Sequence, residues 1–442
     1  MQNRLVVSGA GIFTAMGRGL SRTFRSLKRR TRVRLTRFLD SIHAGSYPFA
    51  EIKLDTKQLL ELSRHQLTQG YTRTSLLGIL ALQDALEMAQ LNTRSSSPLR
   101  IGLINATTVG GMCEVEKYYF DILDKPGDYS RYSDTIDCAD CTHRIADRHG
   151  IHHFVTTIST ACSSSANAVM LGARMLQQNK LDIAICGGTD ALTRFTINGF
   201  NALKNIDRNH CRPFDAARNG LNLGEGAAYL ILERQEQAQQ RGVTPLVSFS
   251  GYANYNEAFH PTAPNPEGEG AYQVMIRALQ KANLHTSDIQ YINAHGTATL
   301  TNDESESNAM KRLFGEVPAF SSTKCYTGHT LAAAGAVEAL FSILALQHQA
   351  VFANLNFETP MPQSELIPVT RFQHQPGIRH VMSNSFAFGG NNASSSFQPV
   401  PNDAIHVYSL LGVHLSAKFV IRFICIKRSC LPGNPVVLLP GT

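Results

Sequence analysis

The sequence predicts a layered α/β fold assembled from two similar units, on three observations. Short apolar runs alternate with helix-length segments through most of the chain, the pattern of βα units. Of the 442 residues, 43 % are hydrophobic and only 17 % charged, against about 25 % charged in an average soluble chain, so a large core forms and a mostly disordered chain is excluded. Residues 160–176 (TACSSSANAVMLGARML) resemble residues 324–343 (KCYTGHTLAAAGAVEALFSI). Each follows a strand, crosses a short polar turn and enters a helix rich in small residues, which points to a duplicated unit with both helices central.

In chain order, residues 5–11 (LVVSGAG) read as a buried strand entering a Gly turn. Residues 75–91 have helical apolar spacing, 101–105 read as a strand, and 122–150 are polar and turn-rich, an excursion over the surface. The central block alternates: strand 154–159, helix 162–178 with Ala166, Val169, Ala173 and Leu176 on one face, strand 182–186 ending at Gly187-Gly188, strand 226–233. The second half repeats this style with strand 246–254, helix 270–284 and strand 289–294. Helix 303–314 then opens on acids, as the helix dipole favours, before strand 319–323, helix 331–348 and a last clear strand at 381–386. This divides the chain into 1–245, 246–400 and a tail, 401–442, whose only acid is Asp403.

Charge and cysteine usage narrow the class. Arg18, Arg22, Arg25, Lys28, Arg29, Arg30, Arg32, Arg34 and Arg37 supply +9 of a net +7, leaving −2 on the rest. One local run on a near-neutral body reads as a solvated basic helix face rather than a nucleic-acid footprint, although it could touch phosphates. Nine irregularly spaced Cys in a long chain argue against a disulfide framework and fit a reducing cytoplasm. The N-terminal residues lack a charged n-region followed by a long apolar h-region, and no signal peptide is expected. The tail comes nearest to a membrane span, but His406, His414, Lys418 and Arg422 interrupt it, so no span is expected.

Several residues carry chemistry. Cys162 follows a strand and opens a helix, where free N–H groups and the positive dipole end would stabilise a thiolate; a buried structural Cys is the bland alternative. His295, in AsnAlaHisGlyThr, ends a strand among small residues and points into a cleft unless it is a hydrogen-bonded core His. His329 stands almost where Cys162 stands in the internal repeat, so the two helix starts would face one cleft. Lys324 ends the preceding strand, and Glu338 on the following helix could pair with it; otherwise both are solvated. The Gly-bearing turn in residues 383–392 (SNSFAFGGNN) exposes backbone N–H groups able to form an oxyanion hole, or is an ordinary turn. Cys138-x-x-Cys141 with His143 lacks the second pair of a zinc site, and Gly9-x-Gly11 lacks the rest of a dinucleotide fingerprint. Asp303 and Glu306 could be paired acids but read as a solvated helix start.

Taken in order, the motifs TACSSSAN, GGTDAL, CRPFDAARNGLNLGEGAAYLILE, INAHGTAT, SSTKCYTGHTLAAAGAVEAL and NSFAFGGNN resemble the β-ketoacyl-[acyl carrier protein] synthases, condensing enzymes of the thiolase-like superfamily. The resemblance spans about residues 1–398. It implies a thiolase-like layered αβαβα fold of two pseudo-duplicated halves. It implies decarboxylating Claisen condensation of an acyl thioester with malonyl-[acyl carrier protein], in fatty acid or polyketide/polyene biosynthesis. Cys162 would carry the acyl chain, His295 and His329 would complete a Cys–His–His triad, and Lys324 and Glu338 would order the site. Backbone N–H groups of Cys162 and Phe388 would form the oxyanion hole. Phe388 would also gate the site, and Thr297 and Thr299 would line the pantetheine channel. No cofactor or metal is implied beyond carrier-borne phosphopantetheine. The implied partners are acyl carrier protein and a second subunit, identical or homologous.

Three features depart from the family pattern: the basic run at 18–37, Ala387 where Gly is usual in the gating loop, which would stiffen it, and the tail beyond about 400. A non-catalytic chain-length-factor-like subunit would typically lack the active Cys. A thiolase would use a second Cys where FAFGGNN stands. A chalcone-synthase-like enzyme would carry Asn in place of His329. A Cys hydrolase of unrelated fold would turn over acyl thioesters without malonyl.

Overall fold

A computed structural model describes residues 4–30, 36–66, 70–94, 98–124, 127 and 129–400. Arg32 and Arg34 of the basic run and the whole 401–442 tail lie outside the described residues. The first half runs β1 (Leu5–Thr14), β2 (Gly17–Arg18), α1 (Leu20–Lys28), α2 (Thr56–Ser63), α3 (Arg73–Met88), β3 (Ile101–Ala106), α4 (Met112–Asp124) and α5 (Cys138–His149). It continues through β4 (Phe154–Ile158), α6 (Ser164–Gln177), β5 (Ile183–Asp190), α7 (Arg194–Ala202), β6 (Gly226–Arg234) and α8 (Gln235–Gln240). The second half runs β7 (Val247–Asn256), α9 (Glu269–Ala282), β8 (Tyr291–Asn293), α10 (Leu300–Phe314), β9 (Ala319–Ser321), α11 (Lys324–Thr327) and α12 (Ala334–His348). The small pair β10 (Ala350–Val351) and β11 (Gln373–His374) precedes β12 (Val381–Ser385) and β13 (Asn391–Gln398).

The strand order carries the duplication. The main sheet reads β4-β3-β5-β6-β1-β7-β13-β12-β8-β9, with β2 attached to β1. Outward from the β1–β7 joint, each half presents its first, fifth, fourth, second and third long strand. The pairings repeat too: antiparallel, antiparallel, parallel, parallel on both sides. α3 packs on one side of the first half and α9 on one side of the second, while α6 and α12 meet between them. The result is the layered αβαβα arrangement.

Small residues make the central layer possible. A side chain at Gly335 of α12 would meet the Ala166 amide at 2.7 Å, and the Ala336 N–H donates to Ser165 Oγ at 2.9 Å. α12 is buried on every face from Ala334 to Leu346, as a helix apolar all round must be. With its preceding 3-10 turn the stretch Leu331–His348 has the length and composition of a membrane span, but 89 % of it is buried inside the fold, which makes it a core helix.

Five expectations are corrected. β1 does not turn at Gly9–Gly11, and β5 does not stop at Gly187-Gly188 but continues to Asp190. These glycines serve close approach instead: a Cβ at Gly11 would meet Ala81 O, and one at Gly187 would meet Ala228 O, each at 2.0 Å. The 122–150 segment is a surface excursion only in its first part, where most of the described residues up to Asp137 are exposed. It contains α5, capped by the Asp137 carboxylate accepting the Ala139 N–H at 2.8 Å, with Cys141, Ile145 and Ala146 buried. The last strand among the described residues is β13, not β12. Its serines gave no apolar signal, yet it lies buried between β7 and β12 with Ser394 Oγ donating to Asn384 Oδ1 at 2.9 Å. Helix 331–348 opens as a 3-10 turn before α12 begins.

Candidate active site

β4 delivers Cys162 to the foot of α6, and Ala161 makes the turn at φ 50°, a left-handed backbone that a non-glycine residue adopts at a cost of about 1–3 kcal/mol. The Cys162 side chain is buried, and its sulfur sits against two backbone N–H groups, its own and that of Phe388. The sequence expectation of a resting thiolate is corrected here. Burial pushes the thiol up to about 11, outweighing the Lys324 charge and both N–H groups, which act in the opposite direction.

Two imidazoles share the cavity with that sulfur. The rings of His295 and His329 lie 5.5 Å apart, nearly perpendicular. His329 Nδ1 accepts the Leu331 N–H at 3.2 Å, and Lys324 Nζ lies 3.3 Å from His295 Nδ1. In a neutral ring with Nδ1 accepting, the proton resides on Nε2, so both rings become Nε2–H donors. His329 Nε2 has no partner among the described residues. Burial and the Lys324 charge hold both rings well below the ordinary histidine range, hence neutral.

Lys324 lies in α11 rather than at a strand end, and it is the hinge of this arrangement. Its ammonium donates to His295 O at 2.6 Å and pairs with the Glu338 carboxylate. Both side chains are 2–3 % exposed, so the pair is buried rather than solvated. Burial raises Glu338 while the Lys324 charge opposes the rise.

Asp303 and Glu306 correct another expectation: they are fully buried, not a solvated helix start. Glu306 accepts the N–H groups of His295 and Gly296 at 2.9 and 2.8 Å. Asp303 accepts those of Ala298 and Phe214 at 3.1 and 2.7 Å. Together they shape the loop that presents His295, Thr297 and Thr299. Burial pushes Glu306 up to about 7. Their i, i+3 spacing after INAHGTAT was the available signal. Two more holding groups went unread. The His329 backbone is bracketed by Asn222 O and the Gly224 N–H, at 2.7 and 3.0 Å. Asp190 accepts the Ala332 N–H at 2.8 Å, tying the end of β5 to the approach to α12.

Phe388 opens a short turn after β12, and its ring stacks on Phe200 with centroids 5.6 Å apart. Gly389 turns the chain at φ 80°. Ala387 sits at φ −126°, extended backbone open to any residue, so the absence of Gly there imposes no strain. Thr297 and Thr299 join their hydroxyls at 2.8 Å on the same wall. Cys162, His295, His329, Phe388, Thr297 and Thr299 all line one cavity of about 40 Å³, and Lys324 and Glu338 stand directly behind His295.

Comparison with known proteins gives the family. Residues 2–238 match the family model of the beta-ketoacyl synthase N-terminal domain, and 247–358 that of the C-terminal domain. The chain belongs to the β-ketoacyl synthase family. It is 32 % identical over 416 residues to the 3-oxoacyl-[acyl-carrier-protein] synthase 2 of Staphylococcus aureus, covering 89 % of this chain and 98 % of that one. Among solved structures it superposes on the ishigamide ketosynthase/chain length factor with a TM-score of 0.84 at 27 % identity, covering 91 % of this chain and all of the other. A type II PKS acyl-carrier protein in complex with its ketosynthase bound to the hexaketide matches with a TM-score of 0.80 at 26 % identity, again over 91 % and 100 %. In this β-ketoacyl synthase the β4–α6 and β9–α12 turns bring Cys162 and His329 to the one cavity that His295 also lines.

Proposed function

We propose that this chain catalyses the decarboxylating condensation of an acyl thioester with malonyl-[acyl carrier protein], giving 3-oxoacyl-[acyl carrier protein] by way of an acyl-Cys162 intermediate. The observation that carries the reading is the convergence of one thiol, two neutral imidazoles and two sulfur-facing backbone N–H groups on a single cavity.

In the first half-reaction, Cys162 Sγ attacks the carbonyl of a carrier-borne acyl thioester. The oxyanion forms against the N–H groups of Cys162 and Phe388, the carrier C–S bond breaks, and the proton lost by Cys162 ends on the carrier thiol. In the second, the malonyl C–C bond breaks and releases CO₂. The enolate oxygen is held by the Nε2–H groups of His295 and His329. The enolate carbon then attacks the Cys162 thioester, the new C–C bond forms as the C–S bond breaks, and the returning sulfur takes one proton from solvent. Neutral imidazoles suit this work because they donate from Nε2 without presenting an acidic proton that would quench the enolate carbon. Lys324 and Glu338 keep His295 in its donor tautomer. Phe388 gates the two half-reactions, and Thr297 and Thr299 receive the pantetheine arm.

Residues 1–245 supply the nucleophile and residues 246–400 the donors, as the two functional halves. Acyl carrier protein is the partner that brings both substrates, and the steps use only protein groups and thioesters. A cytoplasmic setting with an identical or homologous second subunit fits this reading. Cys162 itself speaks against a non-catalytic chain-length-factor-like role. The test is mass spectrometry of the protein after incubation with acyl-[acyl carrier protein]: one acyl adduct is expected, absent in Cys162→Ala. An adduct that persists in that variant refutes the assignment of the nucleophile.

A further inference from the structure

The largest clefts of the molecule are not at Cys162. One of about 700 Å³ lies between the β1–β2 turn, α1 and residues 51–54, and the condensation makes no use of it. Its walls carry Arg18, Arg22, Arg25, Arg29 and Lys53, with Glu51 the one carboxylate among the lining residues.

α1 is fixed to the body by its other face. Thr23 and Leu27 are buried, and the Phe24 ring stacks on His348 at 3.6 Å and meets Phe352 and Phe372 edge-on. That anchoring turns Arg22, Arg25 and Arg29, spaced i, i+3 and i+7, toward the cleft along one stripe. The helix carries no acid. Arg18 is engaged, holding Asp84 through Nε and Nη2. Lys53 is paired with Glu51 at 2.9 Å. The Glu51 carboxylate is further occupied by the N–H groups of Arg37, Phe38 and Leu39 at 2.7, 2.9 and 2.6 Å. Arg22, Arg25 and Arg29 have no side-chain hydrogen bond or ion pair among the described residues, and all three are exposed.

Three uncompensated guanidinium groups around a concavity call for an anion. Seven residues of helix span roughly 10 Å, too far for one phosphate to reach all three but within reach of linked phosphates. Guanidinium forks match phosphate oxygens in geometry, and the cleft volume falls within the roughly 300–1,000 Å³ of small-ligand sites. We propose that this cleft binds a small soluble ligand bearing two or more linked phosphates, held by Arg22, Arg25 and Arg29. Tyr326 of α11 is part of its lining, two residues from Lys324. A bound ligand therefore rests against the segment that holds the catalytic ion pair.

Titration calorimetry of the full chain with tripolyphosphate, at one fixed salt concentration, tests this. Saturable binding of one equivalent is expected. Arg25→Gln/Arg29→Gln should weaken it by about tenfold or more for each guanidinium removed, the scale of a charge-assisted hydrogen bond. Arg277→Gln/Lys281→Gln, which removes the same charge from α9, should leave it unchanged. Acyl-adduct formation in both variants verifies that they are folded. Absence of saturable binding, an equal loss in the two variants, or tighter binding of anionic vesicles or duplex DNA than of tripolyphosphate overturns the proposal.

Discussion

The β4–α6 turn and the β9–α12 turn occupy equivalent places in the repeated strand order, yet they are built from opposite materials. The first is short, running from Ile158 to Ser164, and Cys162 is its one titratable group. The second is interrupted by α11 and a 3-10 turn, and brings Lys324 and His329 to a place where His295, Glu306 and Glu338 are also buried. The duplicated backbone thus supplies the meeting point, and the asymmetry supplies the chemistry. One half offers a sulfur with little charge of its own around it. The other keeps a cation and two carboxylates out of water, and of these Lys324 and Glu338 act on that sulfur and Lys324 on both imidazoles.

That contrast predicts where the protein is fragile. Lys324→Ala leaves the Glu338 carboxylate buried without its partner, a loss of about 3–5 kcal/mol for a broken buried ion pair. Urea unfolding should show it as a fall in midpoint, and Lys324→Met/Glu338→Leu, which removes both charges, should recover most of it. Ser163→Ala, on the first turn, should cost far less, because it removes one hydroxyl that donates to Asn391 Oδ1 at 2.8 Å and no charge. Equal losses from the two turns would mean that the charged cluster is not what distinguishes them.

The next effect separates the halves by reaction step. On the mechanism proposed above, His329→Ala removes one enolate donor and should slow malonyl decarboxylation by about 10²–10³, the usual consequence of losing such a donor. On the same mechanism, acylation of Cys162 relies on the two backbone N–H groups and should survive. Parallel measurement of CO₂ release and of the acyl adduct decides the matter. If both fall together, the division of labour between the two turns is wrong.

Much of this was legible in the sequence because small-residue helices and their polar turns repeat visibly, and because Cys162, His295 and His329 stand in long ordered motifs. Other parts were not, for one physical reason. Local patterns report which side chains are apolar, not which backbones must touch. Gly11 and Gly187 looked like turns because close approach leaves the same residue behind. The serines of β13 looked like a loop because hydroxyls satisfied inside a sheet resemble hydroxyls facing water. Asp303 and Glu306 looked solvated because the N–H groups they accept come from a loop ahead of their helix and, for Phe214, from the other half of the chain. The state of Cys162 was misjudged similarly: a helix start is visible in sequence, whereas the depth at which it is buried is not.

That depth yields the smallest and sharpest test. With the thiol pushed up to about 11 by burial, alkylation of Cys162 by iodoacetamide should be slow at neutral pH and should climb with pH beyond the midpoint of an ordinary thiol, about 8.5. Glu338 raises this thiol and Lys324 lowers it. Glu338→Gln should therefore move the alkylation limb to lower pH, and Lys324→Met should move it higher. The same ammonium lowers both imidazoles, so Lys324→Met should also bring the acid limb of decarboxylation up toward 6.5. Rapid alkylation at neutral pH, with a limb that neither substitution moves, would mean that the first turn makes its own thiolate and that the charges of the second turn do not reach it.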